Sequence, residues 1–92
     1  GSTSLAVDIT SAVTEVNATS AIATLTLADG ANGQIKTIIN ISTSGTNAVT
    51  ITPSNLRGFT SATLNAPGET VTLMFKNSNW NVIGTGGTVV LA

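Results

Sequence analysis

The chain has no cysteine, no histidine and no tyrosine among its 92 residues. The absence of cysteine excludes disulfide bonds and zinc–thiolate sites. The nucleophile–base pairs of Ser-His and Cys-His hydrolases cannot form either. The remaining candidates for catalysis are four carboxylates, Asp8, Glu15, Asp29 and Glu69. Two carboxylates can flank a glycosidic bond, but Asp29 and Glu69 stand among turn-forming residues. We therefore predict a protein that is not an enzyme and that holds no metal or cofactor.

Charged residues are also scarce, at 8% of the chain with a net charge of −1, against about 25% in ordinary domains. The three basic residues, Lys36, Arg57 and Lys76, are widely spaced, so no basic stripe for nucleic acid exists. The absence of an apolar run of membrane-spanning length predicts no transmembrane helix. Threonine, serine and asparagine, at 17, 9 and 9 residues, take the place of charge. A surface this poor in charge is typical of a protein whose surface is partly covered by association.

The N-terminus has no cationic region before an apolar block, so no signal peptide is predicted. Gly1-Ser2 resembles a cloning scar, and residues 3–92 are expected to form a single domain. After Gly84, the glycine-rich segment 85–92 is expected to be peripheral, adding a last strand or docking on a partner.

The clearest structural signal is a hairpin between Glu69 and Gly84. Apolar residues alternate with polar ones in its first half, as in a strand with one buried face. Asn77-Ser78 would form the centre of the turn. That register places Phe75 opposite Trp80 and Leu73 opposite Val82 on one face. The predicted hairpin core consists of Val71, Leu73, Phe75, Trp80 and Val82.

Further short strands are predicted along the chain, with turn residues between them. They cover residues 5–9, 21–27, 34–42, 48–52, 61–65 and 89–91, with residues 11–17 either a strand or irregular. In the segment 34–42 we expect Ile35, Thr37, Ile39 and Ile41 to face inward, and Lys36, Ile38 and Asn40 to face outward. Leu56 and Phe59 are expected to pack under the loop that follows Pro53. The chain therefore reads as all-β, a small antiparallel β-sandwich or jelly-roll-like domain.

Four apolar side chains fall on faces that this reading directs away from the core. They are Ile22, Ile38, Met74 and Ile83. Together they would expose more apolar area than scattered single residues explain. We interpret them as a subunit interface.

Three other motifs suggest functional sites, but each has a simpler interpretation. The segment Asp29-Gly30-Ala31-Asn32-Gly33 lacks the alternating ligands of a calcium loop and reads as a turn. The sequons at Asn17 and Asn40 are expected by chance in this composition, and neither is interpreted as used. Trp80 could be a sugar-binding platform, but its pairing with Phe75 favours the core.

Most of the chain, from about residue 22 to 84, resembles small β modules of viral particle proteins. The resemblance rests on Gly33-Gln34-Ile35, on Val49-Thr50-Ile51-Thr52, and on Gly68-x-x-Val71-x-Leu73 leading to Trp80-x-Val82. Such modules occur in phage tail fibres, tailspikes, head fibres and capsid-decorating proteins.

The resemblance implies a non-catalytic structural module of a virus particle, commonly trimeric. It implies a location on the virion surface after synthesis in the host cytoplasm. Its partners would be further copies of the chain, other virion proteins and a host-surface glycan, with neither nucleic acid nor membrane among them. The alternative is a monomeric carbohydrate-binding or adhesive β-sandwich. The composition argues for association, and the number three comes from the resemblance.

Overall fold

The computed structural model describes residues 2–6, 10–17, 22–43 and 48–92, and these residues contain β-strands and no helix. The nine strands are β1 (Ser2–Ala6), β2 (Val13–Val16), β3 (Ile22–Leu27), β4 (Ile35–Asn40), β5 (Ala48–Pro53), β6 (Ala62–Leu64), β7 (Thr70–Lys76), β8 (Asn79–Gly86) and β9 (Val89–Leu91). No segment of this described part is a helix that could cross a bilayer. The all-β prediction is confirmed.

The strands form two sheets, one five-stranded and one four-stranded. Their orders are β1-β3-β5-β6-β9 and β2-β4-β7-β8. From β1 to β5 the chain alternates between the sheets, so odd strands join one sheet and even strands the other. Within this half every pairing is parallel: β1 with β3, β3 with β5 and β2 with β4. The N-terminal half is therefore a short β-solenoid of stacked coils.

The second half of the chain reverses this pattern. Strand β6 pairs antiparallel with β5, β7 with β4, β8 with β7, and β9 with β6. The sandwich predicted from the sequence is thus present, but its sheets are mixed rather than antiparallel throughout. The turn signal at Asp29-Gly30 marks a crossing between the sheets, because β3 and β4 belong to different sheets.

The core lies between the two sheets and is made almost entirely of aliphatic side chains. Its buried members are Val16, Leu25, Leu27, Ile38, Val49, Ile51, Ala62, Leu64, Val71, Leu73, Phe75 and Trp80. Leu56, Val82, Val89 and Leu91 pack against this cluster. Leu56 therefore lies where it was expected, whereas Phe59 is exposed rather than packed under its loop.

The hairpin forms with the predicted register. Phe75 lies opposite Trp80 and Leu73 opposite Val82. The two aromatic rings meet edge to face, with centroids 5.2 Å apart and an interplanar angle of 72°. This geometry suits the ring quadrupoles. Leu73, Phe75 and Trp80 are buried and Val82 packs against them, so the hairpin supplies one wall of the core.

The hairpin turn has left-handed backbone at both central residues, with φ of 54° at Asn77 and 66° at Ser78. Two successive positive φ values are typical of the type I′ turn, whose twist matches the flanking strands. Asparagine tolerates this region, but serine is strained there. The backbone N–H of Asn77 also donates to Asn32 Oδ1 at 3.2 Å, which ties the turn to the loop before β4.

Replacement of Ser78 by glycine should therefore stabilise the protein. Relief of the left-handed strain exceeds the entropy that glycine adds to the unfolded chain, for a net gain of about 0.5–1 kcal/mol. Urea unfolding of Ser78→Gly measures this gain. Ser54→Gly is the matched control at an exposed serine without positive φ, and it should lose stability. An equal loss in both variants would contradict the turn geometry.

In β4 the face that points into the core is the opposite of the one expected from the sequence. Lys36, Ile38 and Asn40 are completely buried, whereas Ile35 is 49% exposed. The prediction that Ile38 faces outward is therefore wrong, as is the inward placement of Ile35, Thr37 and Ile39. Ile41, just beyond the strand, is exposed as well.

Burial of the two polar residues is possible because their polar atoms have backbone partners. Lys36 Nζ donates to the Ser11 carbonyl at 2.8 Å. Asn40 Nδ2 donates to the Leu64 carbonyl at 3.0 Å, and Asn40 Oδ1 accepts from the Ser42 backbone N–H at 2.9 Å. Asn40 thereby joins the two sheets, since Leu64 belongs to β6. Its buried amide is also inaccessible in the folded protein, which agrees with reading its sequon as unused.

The C-terminal segment is part of the sandwich rather than a loose tail. Strand β8 extends to Gly86, and β9 pairs with β6 through Thr63 opposite Val90. The Ala92 carbonyl accepts hydrogen bonds from the backbone N–H groups of Thr60 and Ser61, at 2.6 and 3.0 Å. Of the two roles expected for this segment, the structure shows the added strand.

Candidate functional site

The outer face of the four-stranded sheet is the face turned away from the core. Its side chains form three rows across the paired strands, and each row is called a rank. The register gives Ile35–Met74–Asn81 as the first rank, Val13–Thr37–Thr72–Gly84 as the second, and Glu15–Ile39–Thr70–Gly86 as the third. In the second rank the hydroxyls of Thr37 and Thr72 lie 3.1 Å apart and share a hydrogen bond. This bond partly satisfies the two hydroxyls within the sheet. The methyl groups of the two threonines then dominate the surface of this rank.

Apolar side chains reach solvent from this face. Val13, Ile35 and Ile83 are 52%, 49% and 50% exposed, and Met74 and Ile39 are half-buried. The charges lie toward the periphery, with Glu15 on the outermost strand and Lys76 at the end of β7. Exposed apolar side chains with charges at the margin are typical of a protein–protein interface.

The outer face of the five-stranded sheet is different, because threonine occupies most of its described positions. Thr24, Thr50 and Thr63 follow one another across β3, β5 and β6, and Val90 continues the rank on β9. Thr50 and Thr63 bring their hydroxyls to 3.3 Å, and Thr52 Oγ1 donates to the Leu25 carbonyl at 3.1 Å. Hydroxyl groups are readily solvated, so this face needs a partner less than the four-stranded sheet does.

The four residues predicted to form a subunit interface do not share one face. Met74 lies in the first rank of the four-stranded sheet, and Ile83 is exposed on β8 beside a register shift. Ile38 is in the core. Ile22 belongs to β3 of the other sheet, and its side chain lies outside the described residues.

Sequence reasoning missed Ile35 and Val13, both of which belong to the exposed set. Ile35 was assigned inward because the alternation of β4 was read by hydrophobicity alone. No local signal identifies Ile35 as outward, because the partners that allow Lys36 and Asn40 to be buried are distant in sequence.

The described carboxylates are separated and serve structural contacts. Glu15 is exposed on β2. Both oxygens of Asp29 accept from Asn55 Nδ2, at 2.9 and 3.0 Å, which joins two loops. Glu69 is 8% exposed, and its Oε1 accepts from the Asn65 backbone N–H at 2.7 Å in the turn before β7. Asp8, the fourth carboxylate, lies outside the described residues.

The segment from Asp29 to Gly33 directs its polar atoms to neighbouring loops and strands. Asn32 accepts from the Asn77 backbone, and Gly33 N–H donates to the Phe75 carbonyl at 2.7 Å. A Cβ at Gly30 would displace the Gln34 side chain and lie 3.0 Å from the Trp80 ring, so the backbone here packs closely on the indole. These contacts describe a packed loop that covers Trp80.

Trp80 is completely buried, and its indole N–H donates to the Ala28 carbonyl at 2.9 Å. Its backbone is held from the other side, because its N–H donates to the Asn55 carbonyl and its carbonyl accepts from Arg57 N–H. A sugar ring cannot stack on this indole. The carbohydrate-binding alternative therefore loses the platform on which it depended.

Among the described residues, no group of three or more His, Cys, Asp or Glu side chains could hold a metal ion. The prediction that no cofactor is needed stays a prediction. We expect the melting temperature to be unchanged by EDTA. We also expect it to vary little between pH 6 and 9, because no side-chain type in the sequence has an ordinary pKa in that interval. A thermal melt with and without chelator checks this, and a drop of several degrees would reveal a bound ion.

Comparison of the chain with models of known protein families and with curated protein sequences finds no match.

Proposed function

We propose that this chain is a non-catalytic structural module that self-associates through the outer face of its four-stranded sheet. The observation that carries the proposal is the exposed apolar area on that face, where Ile35 and Met74 are paired across β4 and β7 in the first rank. Exposed apolar area concentrated on one face is typical of an interaction surface. The scarcity of charge on the whole chain points the same way.

The proposal places the module in a virus particle, as part of a fibre, a spike or a capsid decoration at the virion surface. The support for this is the resemblance of residues 22–84 to viral β modules, together with the predicted lack of catalytic machinery. The same resemblance sets the expected assembly as a homotrimer. Other virion proteins and a host-surface glycan are the further partners that it implies.

Association through a sheet face also has an energetic rationale. A domain of this size buries only about 60–65% of its unfolded surface, so its stability alone is modest. Each aliphatic side chain transferred from water into an interface contributes roughly 1.5–3 kcal/mol. Binding that is restricted to the folded state then raises the apparent stability with the logarithm of protein concentration.

Replacement of Met74 by glutamate should dissociate the assembly and leave the subunit folded. Met74 is half-buried on the outer face, and a carboxylate there would be buried without a partner in the interface. Multi-angle light scattering gives the mass, and circular dichroism shows whether the strands persist. We expect a trimer for the unmodified chain and a folded monomer for Met74→Glu.

The matched control is Val90→Glu, an apolar-to-charged change at a residue that is 49% exposed on the other sheet. It should leave the mass unchanged. A monomeric unmodified chain at tens of micromolar would overturn the self-association proposal. Loss of assembly in both variants would show that the face has been assigned wrongly.

A further inference from the structure

Within the described residues, the two outermost strands at the N-terminal end of the fold, β1 and β2, have one paired edge and one open edge each. Strand β1 ends the five-stranded sheet and β2 ends the four-stranded sheet. Because they are consecutive strands of one coil, both open edges lie at the same end of the solenoid. A strand edge of this kind is a template for a further strand.

The spacing of the existing coils is compatible with continuation. Ser2 pairs with Ile22, twenty residues later, Val13 pairs with Thr37, twenty-four later, and Ile22 pairs with Ala48, twenty-six later. Paired residues of neighbouring strands lie on the same face of the sheet, so this register keeps the same face turned toward the core from coil to coil.

The opposite end of the fold is closed against such growth. There the strands turn antiparallel, β9 has only three residues, and β8 contains a register shift opposite Thr72 and Leu73. Gly84 and Gly86 further weaken β8 as a template. Short strands, irregular pairing and glycine are the usual protections of a sheet edge. By contrast, β2 (VTEV) has neither proline, glycine nor lysine.

The backbone of β2 has hydrogen-bonding groups free on its open side. Thr37 N–H donates to the Ala12 carbonyl and Ile41 N–H donates to the Val16 carbonyl, each at 2.8 Å. Ala12 and Val16 thus point their backbone groups toward β4. Successive residues of a strand point opposite ways, so the N–H and C=O groups of Val13 and Glu15 point outward.

We propose that this end of the fold receives one more coil of parallel β-structure, from a segment that precedes β1 in a longer polypeptide. The incoming coil would add one strand beside β1 and one beside β2, both running in the direction of their new neighbours. Apolar residues at alternate positions would extend the core beyond Val16, which at 8% is the most exposed member of the core cluster. The β6–β9 half then acts as the terminal cap of a longer solenoid.

A second copy of this chain fits the open end less well. A two-fold contact between two β2 strands would pair them antiparallel. In this four-residue strand, a pairing centred between Thr14 and Glu15 would join the core face of one copy to the outer face of the other. A pairing centred on Thr14 or on Glu15 keeps the faces together, but it brings the two Glu15 carboxylates to diagonal or opposite positions. Like charges in such positions are destabilising. A parallel coil with a neutral residue beside Glu15 avoids this repulsion.

The test extends the chain by one coil. The extension is a copy of residues 22–47 placed directly before Ser2, with its Lys36 and Asn40 changed to valine because the partners of these buried side chains would be missing. Its first residue lies twenty-six positions ahead of Ser2, the offset that separates Ile22 from Ala48. Hydrogen exchange followed by NMR then measures the exchange rates of the backbone N–H groups of Val13 and Glu15. We expect both to exchange rapidly in the original chain at every concentration. In the extended chain they should be protected by at least about tenfold, with a higher melting temperature.

Two variants make the result specific. Deletion of the copied Thr37, which lies inside a strand, reverses the alternation after it and turns the following core residues outward, which should abolish the gain. Glu15→Pro removes an outward N–H and should be tolerated in the original chain, because proline is compatible with an open edge. In the extended chain it should remove most of the added stability, whereas Glu15→Ala should not.

Three results would overturn the proposal. One is an in-register extension that leaves Val13 and Glu15 unprotected, or that unfolds the chain. Another is an equal gain from the extension that lacks the copied Thr37. The third is protection of these two N–H groups in the original chain that rises with concentration, since a second copy would then occupy the edge.

Discussion

Replacement of Trp80 by alanine is expected to lower the free energy of unfolding by about 3–5 kcal/mol, a large part of the stability of a small domain. The indole is completely buried, contacts Phe75 edge to face and donates its N–H to the Ala28 carbonyl. Its loss leaves a cavity and a carbonyl without its partner. The loop that carries Gly30 also loses the ring against which it packs.

Urea unfolding followed by circular dichroism measures this change, because the variant has no tryptophan fluorescence. Phe59→Ala is the matched control, an aromatic residue that is 40% exposed, and it should cost less than about 1 kcal/mol. In the unmodified protein, the fluorescence emission of Trp80 should be that of a buried indole. A stable, soluble Trp80→Ala variant would show that the described core is wrong.

A glutamate at position 38 should unfold the protein, whereas a glutamate at position 35 should leave it folded. Ile38 is completely buried between the sheets and Ile35 is half exposed on the outer face, three residues earlier in the same strand. A carboxylate at position 38 would be buried without a partner and would replace an aliphatic core residue. Together these effects cost at least about 4 kcal/mol, against a total stability of about 5–15 kcal/mol.

Circular dichroism separates folded from unfolded chains, and light scattering then reports the mass of those that remain folded. We expect Ile38→Glu to lose its β signal. We expect Ile35→Glu to keep the signal and to become monomeric, as Met74→Glu should. The reverse result, a folded Ile38→Glu variant, would show that Ile35, Thr37 and Ile39 face the core, as hydrophobicity alone predicts for β4.

The second half of the fold was largely predictable because its signals are local. Leu73, Phe75, Trp80 and Val82 alternate within one hairpin, and two turn residues fix which of them face each other. The polar turn and the alternation agree, so one register satisfies both.

The face of β4 was not predictable by the same reasoning. Isoleucine at 35, 38 and 39 gives the strand two apolar faces, and hydrophobicity favours the wrong one. What decides is distant in sequence: Lys36 needs the Ser11 carbonyl and Asn40 needs the Leu64 carbonyl. The parallel coils escaped prediction for a similar reason, since pairing between strands twenty or more residues apart leaves no local turn signal.

The candidate surface was therefore only partly foreseen. Met74 was identified because its strand alternates cleanly, with Leu73 and Phe75 on the core side. Ile35 and Val13 could not be assigned until the register of β2, β4 and β7 was known. Scarcity of charge indicated that some surface is covered, but it could not say which one.

The directions of the first and last strands have a mechanical consequence. Strands β1, β3 and β5 are parallel, β6 runs against β5, and β9 runs against β6, so β1 and β9 point the same way from opposite edges of one sheet. The chain enters this sheet at one end of its strands and leaves it at the other. Tension between Ser2 and Leu91 would thus pull along the strands, at right angles to the hydrogen bonds. The bonds of each ladder would be sheared together instead of being peeled apart singly.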